Sequence, residues 1–348
     1  MNEPIFIARQ DTLEQEILPA HWLAQYKLFG EESYTFQDKE IWKKLCMSSA
    51  AANDRDMHAE ALEEMLTTFS AEHTGKWMLT VYGMDAAVLE GLATMAAVAG
   101  NGTAMAAVAG NALLMHAITN SETAMQAISR SQTAMQRIAN STAMNAVAAS
   151  SVARNAISAS PYYDAKIKEN DMAIAKLVVG FANLESARYS GCAGMAADST
   201  AMTAVAASGV ALKAIAQAYK KTANMLQFLK AVNASDTLVK RIYSTLTNAT
   251  ALFGAAQLGS QDSVENANSW ATTSAAPNAF LACACGYYGS SSDSVSVTYN
   301  GTVIAQKKTG TKQPGSVAST NVNAITMAPS TFTENGDGYL AVQKFTAK

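Results

Sequence analysis

The chain has 348 residues, a net charge of −3 and no basic run, so it lacks the lysine and arginine footprint that nucleic-acid binding needs. Its length has room for two or three domains. Hydrophobic residues make up 49% but aromatics only 7%; Ala and Met supply an unusual share, and an alanine-rich core stabilises weakly per residue, a deficit that assembly with other chains would offset.

Residues 1–90 read as a helical domain. Aromatics concentrate there: Trp22, Tyr26, Phe29, Tyr34, Phe36 and Trp42. The run Phe36 to Leu45 opens an amphipathic helix with Ile41 and Leu45 on its inner face. A second helix is expected after Asn53-Asp54, with Met57, Ala61, Met65, Leu62, Leu66 and Phe69 inside and Glu60, Glu63 and Glu64 outside. The aromatic density suits a docking module. Met1 to Gln10 shows no basic region followed by an apolar stretch, so no signal peptide is expected.

Residues 91–160 carry a ten-residue repeat. Met95, Met105, Met115, Met125 and Met135 are ten apart, Met144 follows after one deletion, and Arg154 takes the next slot. Three residues after each comes Val98, Val108, Ile118, Ile128, Ile138, Val147 or Ile157. Self-similarity at a fixed period implies units that bury their apolar faces only against neighbours. Met and Val at i, i+3 fall on opposite faces of a strand, and alanine is a poor strand former, so the units read as helix. Ten residues fall about 80° short of three full helical turns, so one unbroken helix cannot keep the seam without overwinding. Asn and Ser recur where caps and turns favour them. Short capped helices, stacked as a solenoid or bundled around an axis, are therefore preferred over a long overwound coiled coil. Gly91 to Ser121 holds no Asp, Glu, Lys or Arg. However, Asn101, Asn111 and Asn120 interrupt it, and Ala and Gly replace the residues that drive insertion, so no membrane insertion is expected.

Pro161 ends the array. Residues 161–255 read as a helical shaft or bundle with degenerate repeats. A charged helix from Ala165 to Leu184 carries Ile167, Met172, Ile174, Leu177, Val178 and Phe181 on its apolar side. Met195 opens a second array, Met202 and Val205 repeat the phrase, and Leu212 and Ile215 keep the step. Ile215 to about Phe253 then reads as more conventional helix, suited to a stalk or bundle of several chains, with Leu226, Leu229, Val232, Leu238, Ile242, Leu246 and Leu252 inside. Residues 256–278, rich in Ser, Ala, Asn and Gln, read as a linker.

Residues 279–348 change to a period of two and read as a small antiparallel β-sandwich. Phe280 to Cys285 is a strand, and Asn300-Gly301 is a favoured two-residue hairpin turn. That turn pairs Tyr299 with Thr302 and Val297 with Ile304, placing Val295, Val297, Tyr299 and Ile304 on one face. A last strand runs from Tyr339 to Phe345. The fold class is thus α+β and multidomain: a helical N-terminal domain, a decapeptide-repeat helical shaft and a β tip.

Chemistry is sparse. His21, His58, His73 and His116 are scattered, and His58-Ala59-Glu60 lacks the Pro-Cys-x-x-Cys that a zinc deaminase needs. Asn101-Gly102-Thr103 lacks the Gly-Lys-Ser/Thr of a phosphate loop. Cys283 and Cys285, at strand spacing, read as reduced, half-buried small residues, as do Cys46 and Cys192. No catalytic residue, cofactor or metal site is expected. A carboxylate pair that cleaves polysaccharide would come together only in the fold and stays open. The candidate positions are the repeat core and an exposed-looking loop with Tyr287, Tyr288 and Asp293 as contacts for a glycan or receptor.

The phrase Ser-x-Thr-Ala-Met-x-Ala-Ile/Val-Ala-x-Ser, carried by Ser121 to Ile138, Thr142 to Ser150 and Thr200 to Ser208, resembles repeats of tailed-bacteriophage structural proteins. It is similar to those of tail-fibre, collar-fibre and related appendage proteins. The domain order resembles a fibre as well. The resemblance implies a homotrimer in the virion, assembled in the host cytoplasm and attached to other virion proteins through residues 1–90. The chain is short for a long fibre, and its repeats degenerate after Pro161. Those departures leave room for a collar, baseplate or capsid-decorating role, or for a receptor- or glycan-binding adhesin.

Overall fold

The computed structural model describes residues 92, 94–218, 225–262, 268–271, 278–287, 294–308, 311–312, 316–328, 330–335 and 338–348. The helices expected in residues 1–90 lie outside that set. The fold is mixed α+β, with a helical region over about 95–248 followed by C-terminal, mainly antiparallel sheets. The chain divides into two compact units, Met1–Tyr163 and Asp164–Lys348.

In the first unit each repeat is one short helix: α1 (Met95–Gly100), α2 (Gly102–Gly110), α3 (Ala112–Asn120), α4 (Glu122–Ser129), α5 (Gln132–Ala139), α6 (Ala143–Ala149) and α7 (Ser151–Ser158). A single extended residue separates most neighbours. Asn101 (φ −94°, ψ 116°) ends α1 and starts α2, and Ser121 (φ −94°, ψ 117°) does the same between α3 and α4. Its side chain caps the next helix: Asn101 Oδ1 accepts from Thr103 N and Ala104 N at 3.0 Å, and Ser131 Oγ accepts from Ala134 N at 3.2 Å. Its backbone N–H closes the previous helix, as Asn101 N does on Val98 O at 3.0 Å. One residue therefore satisfies orphan groups at two helix ends.

That extended residue turns the chain by 100° between Gly102–Gly110 and Leu114–Asn120. Three such bends bring the chain nearly full circle, and each helix then lies against the third one after it: α1 on α4, α2 on α5, α3 on α6, α4 on α7. The array is an α-solenoid with three short helices per turn, the stacked alternative of the sequence reading. The longest described helix has 13 residues, so no long overwound coil occurs among the described residues.

Four positions of each unit from α2 to α6 face inward. In α2 they are Ala104, Met105, Val108 and Ala109, all buried. The helical spacing of 1, 4 and 5 puts them on one stripe. Burying a Met or Ile side chain contributes roughly 1.5–3 kcal/mol each.

The second unit opens with α8 (Tyr163–Lys166, straddling the boundary) and α9 (Asp171–Phe181). The single charged helix expected from Ala165 to Leu184 is therefore two. Asn170 is extended and caps Ala173 N at 3.0 Å, which starts a new helix there. Five helices follow: α10 (Cys192–Ala197), α11 (Ser199–Ala207), α12 (Gly209–Ala218), α13 (Met225–Asn233) and α14 (Asp236–Asn248). The repeat geometry persists beyond Ile215, with α9 against α12, α10 against α13 and α11 against α14.

Two sheets complete the unit. The first has strand order β1 (Phe253–Asp262), β9 (Gly338–Ala347), β3 (Ala279–Tyr287) and β6 (Thr311–Lys312), with β7 (Ala324–Met327) also on β3. The second runs β2 (Asn268–Ala271), β8 (Ser330–Asn335), β4 (Ser294–Tyr299), β5 (Thr302–Lys308). Among the described residues all pairings are antiparallel except the short β3–β6 pair.

Two expectations are corrected here. The stretch 256–278 is not simply a linker: most of β1 falls in it, paired with β9 from Phe253↔Ala347 to Asp262↔Tyr339, and so does β2. Its polar composition hid the strands because β1 is an edge whose Ala255, Ala256 and Gln257 face solvent. The Asn300-Gly301 turn forms, with φ of +47° and +73°, and Tyr299 pairs with Thr302. Val297, however, pairs with Ala305 rather than Ile304, because a bulge inserts one residue. The bulge leaves Ile304 and Ala305, adjacent in sequence, both buried.

Candidate functional site

The repeat-core positions lie inside. Val98, Met105, Val108, Ile118, Met125, Ile128, Met135, Ile138, Met144, Val147 and Val205 are fully buried; Met95, Met115 and Met202 are buried too. The methionine column is packing material enclosed by one chain and offers nothing to a ligand. Of the loop positions, Tyr287 ends β3 opposite Gly338, whereas Tyr288 and Asp293 lie outside the described residues.

The array's polar chemistry sits at its corners. The Ser131 hydroxyl, besides capping α5, donates to Ala99 O one solenoid turn earlier, at 2.5 Å. Ser150 does the same to Thr119 O and Ser160 to Ser129 O, at sequence separations of 31. Each hydroxyl thus accepts within its own turn and donates to the turn before it. The cap role is visible in the sequence; the donor role needs the stacking. The deletion before Met144 marks the exception. Ser141 there donates back to Ile138 O, and Thr142 makes no side-chain cap.

In the second unit carboxylates replace some of these hydroxyls. Gly191 cannot cap α10, and Asp171 Oδ2, from the first turn of α9, accepts from Cys192 N at 3.1 Å instead. Asp198 Oδ1 caps α11 through Thr200 N and Ala201 N, while its Oδ2 takes the Tyr189 hydroxyl at 2.7 Å and Arg188 at 2.8 Å. The Tyr189 hydrogen bond, then the Ala201 N–H, hold the Asp198 carboxyl below the usual carboxylate range, and burial pushes the Tyr189 phenol up. Lys176, 4% exposed, reaches Ser186 O at 3.0 Å and Ala187 O at 3.3 Å, and burial lowers its pKa. It pins the segment between α9 and α10. These are structural tasks: capping, clamping and neutralising.

Helix and sheet are joined by groups the sequence reading did not single out. Asn233, 3% exposed at the end of α13, accepts from Ile325 N at 3.0 Å and donates to Ile325 O and Leu229 O at 2.8 Å. It behaves as one more residue of the ladder on β7. Tyr243 of α14 donates to Val317 O at 2.7 Å, and its ring meets Phe345 edge-on at 5.7 Å. Lys307 of β5 pairs with Asp236 of α14 at 2.7 Å. The sheets thereby cover the final helices of the stack, the capping that a solenoid end needs. No sequence signal marked Asn233, since a buried Asn looks like any helix-end polar residue.

Cys192, Cys283 and Cys285 are free thiols and fully buried rather than half-buried, and burial pushes the Cys283 thiol up to about 12. Among the described residues no group of three or more His, Cys, Asp or Glu side chains is placed to hold a metal, and no single helix is long and apolar enough to cross a membrane. His116 lies exposed on α3, and His58-Ala59-Glu60 lies outside the described residues. No family model matches this chain, and no curated protein matches it.

Proposed function

We propose that this chain is a non-enzymatic structural protein of a tailed-bacteriophage virion, an oligomeric tail or collar fibre. In this reading residues 1–90 attach it to other virion proteins, the helices from 91 to 248 form the shaft, and the sheets over 253–347, arranged as a sandwich, face outward or close the end. One observation carries the proposal: the apolar positions of the repeat are spent on its own solenoid core, while the outward positions vary freely. Gln126, Gln136 and Asn145 all follow the methionine of their unit, where α1 and α2 have Ala96 and Ala106. Such an array builds length and stiffness without building a pocket. The repeat phrase, similar to that of phage fibres, supplies the biological context.

The solenoid also bears on assembly. A core closed within one chain leaves the methionine column out of any trimer interface, so a homotrimer would join through residues 1–90 or through outward positions. Immunogold electron microscopy of particles with the protein labelled tests the assignment directly. Labelled particles with several copies at the tail or collar support it, and their absence from purified virions removes it. Native mass spectrometry of the full chain should show an oligomer, and a stable monomer at micromolar concentration counts against the fibre.

A further inference from the structure

Charge is distributed unevenly along the chain. Residues 1–90 hold 16 Asp and Glu against 7 Lys and Arg, a net of −9, whereas residues 91–348 hold 12 against 18, a net of +6. The positive excess gathers at the end of the solenoid. Residues 199–248 contain six Lys or Arg and a single acid, Asp236. That acid is taken by Lys307 of β5 at 2.7 Å.

The lysines fall at one place in the repeat. In α12, α13 and α14 the buried residues Leu212, Leu229 and Val239 stand at the methionine slot, and Lys213, Lys230 and Lys240 come next. In α2 to α6 that place holds Ala, His, Gln or Asn. Lys230, Lys240 and the adjacent Arg241 are exposed, and Lys213 is half-buried. Three helices make one turn, so these lysines form a belt around the last turn of the stack. Among the described residues Lys213, Lys230 and Arg241 make no ion pair. Val210, 42% exposed, adds an apolar group on α12.

A belt of uncompensated cations fits an acidic surface, and the chain itself carries one. Nucleic acid would need a longer basic track than a single turn supplies. We propose that the last solenoid turn of one copy docks onto the acidic residues 1–90 of a second copy, with Lys213, Lys230, Lys240 and Arg241 as its contacts. The inference rests on the oligomeric reading above and names the two surfaces that meet. Two different surfaces make a heterologous contact, which closes as a ring where the rotation permits, as in a trimer. Opposite charges steer the encounter and fix its register more than they add affinity, so the contact is sensitive to salt.

The test uses the full-length chain, with self-association read by sedimentation velocity and melting temperature by calorimetry. Raising sodium chloride from about 0.1 M to about 1 M shortens the Debye length from about 10 Å to about 3 Å and should weaken association about tenfold or more. Lys230→Glu, Lys240→Glu and Arg241→Glu together should weaken it as much at low salt with an unchanged melting temperature. Lys230→Arg with Lys240→Arg, which keeps the charge, should associate as the parent does. Carbodiimide coupling of mixed light and heavy-nitrogen copies should join Lys230 or Lys240 to carboxylates of residues 1–90 in peptides of mixed label. Joined peptides of one label only would place the contact inside a single chain and overturn the proposal. An oligomer indifferent to salt and to the glutamate changes would also overturn it, while leaving the fibre assignment standing. A stable monomer would overturn it together with the oligomeric reading.

Discussion

The serine corners give the sharpest quantitative prediction. Ser150 is 7% exposed; its hydroxyl accepts from Ala153 N at 3.3 Å and donates to Thr119 O, 31 residues earlier. Ser150→Ala removes both bonds. Loss of the cap costs about 1 kcal/mol, within a range of roughly 0.5–2. Loss of the buried bond to Thr119 O adds about 0.5–1.5 kcal/mol, and more where that carbonyl finds no water. The total is about 1–3.5 kcal/mol. Ser235 supplies the control, because it caps α14 through Leu238 N at 3.3 Å without a bond to an earlier turn. Ser235→Ala should cost only the cap, about 1 kcal/mol. Urea unfolding followed by circular dichroism at 222 nm measures both. Ser150→Gly refines the comparison, since glycine at a cap position loses only a few tenths of a kcal/mol relative to serine. Most of its effect then reports the bond between turns. Equal destabilisation by Ser150→Ala and Ser235→Ala, with Ser150→Gly near the parent, would refute the idea that serine joins successive turns.

Further outcomes follow from the same geometry. Met135→Ala, at a fully buried position stacked between turns, should destabilise by about 2–5 kcal/mol in denaturant titration, whereas Gln136→Ala on the exposed side should change stability by less than about 0.5 kcal/mol. Asn233→Leu leaves the Ile325 N–H and C=O without their side-chain partner and should cost about 2–4 kcal/mol; hydrogen exchange at Ile325 should accelerate while amides of α1–α7 keep their protection. For Asp198 the folded carboxyl titrates below its unfolded value, so its contribution is present above about pH 4 and is lost as pH falls through the folded pKa. Asp198→Asn should therefore flatten the acid limb of the thermal-stability profile and lower stability at neutral pH; a parallel, unflattened profile contradicts this. Finally, iodoacetamide at pH 8 should leave Cys192, Cys283 and Cys285 unmodified in the folded protein and alkylate all three in guanidinium, as peptide mass spectrometry would show.

The sequence by itself determined the repeat unit. The Met and Ile/Val positions, the recurrent Asn or Ser cap and the mismatch between ten residues and a whole number of turns require short helices with one inward stripe. These are local properties, set by helical spacing and by orphan N–H groups at each helix start. The Asn300-Gly301 turn was legible for the same reason, because only a few residue types tolerate positive φ there. The tertiary structure alone decided how the units stack. Three helices per turn follow from a 100° bend whose size no composition reveals, and that stacking gave Ser131, Ser150 and Ser160 their second partners. It also decided that β1 is a strand: an edge strand with solvent on its exposed residues loses the alternation that marks a half-buried one, and β9, more than seventy residues later, supplies its pairing. The bulge that buries both Ile304 and Ala305 and the role of Asn233 on β7 belong to the same class. Each depends on a contact between segments far apart in the chain, and a periodicity within one segment cannot encode it.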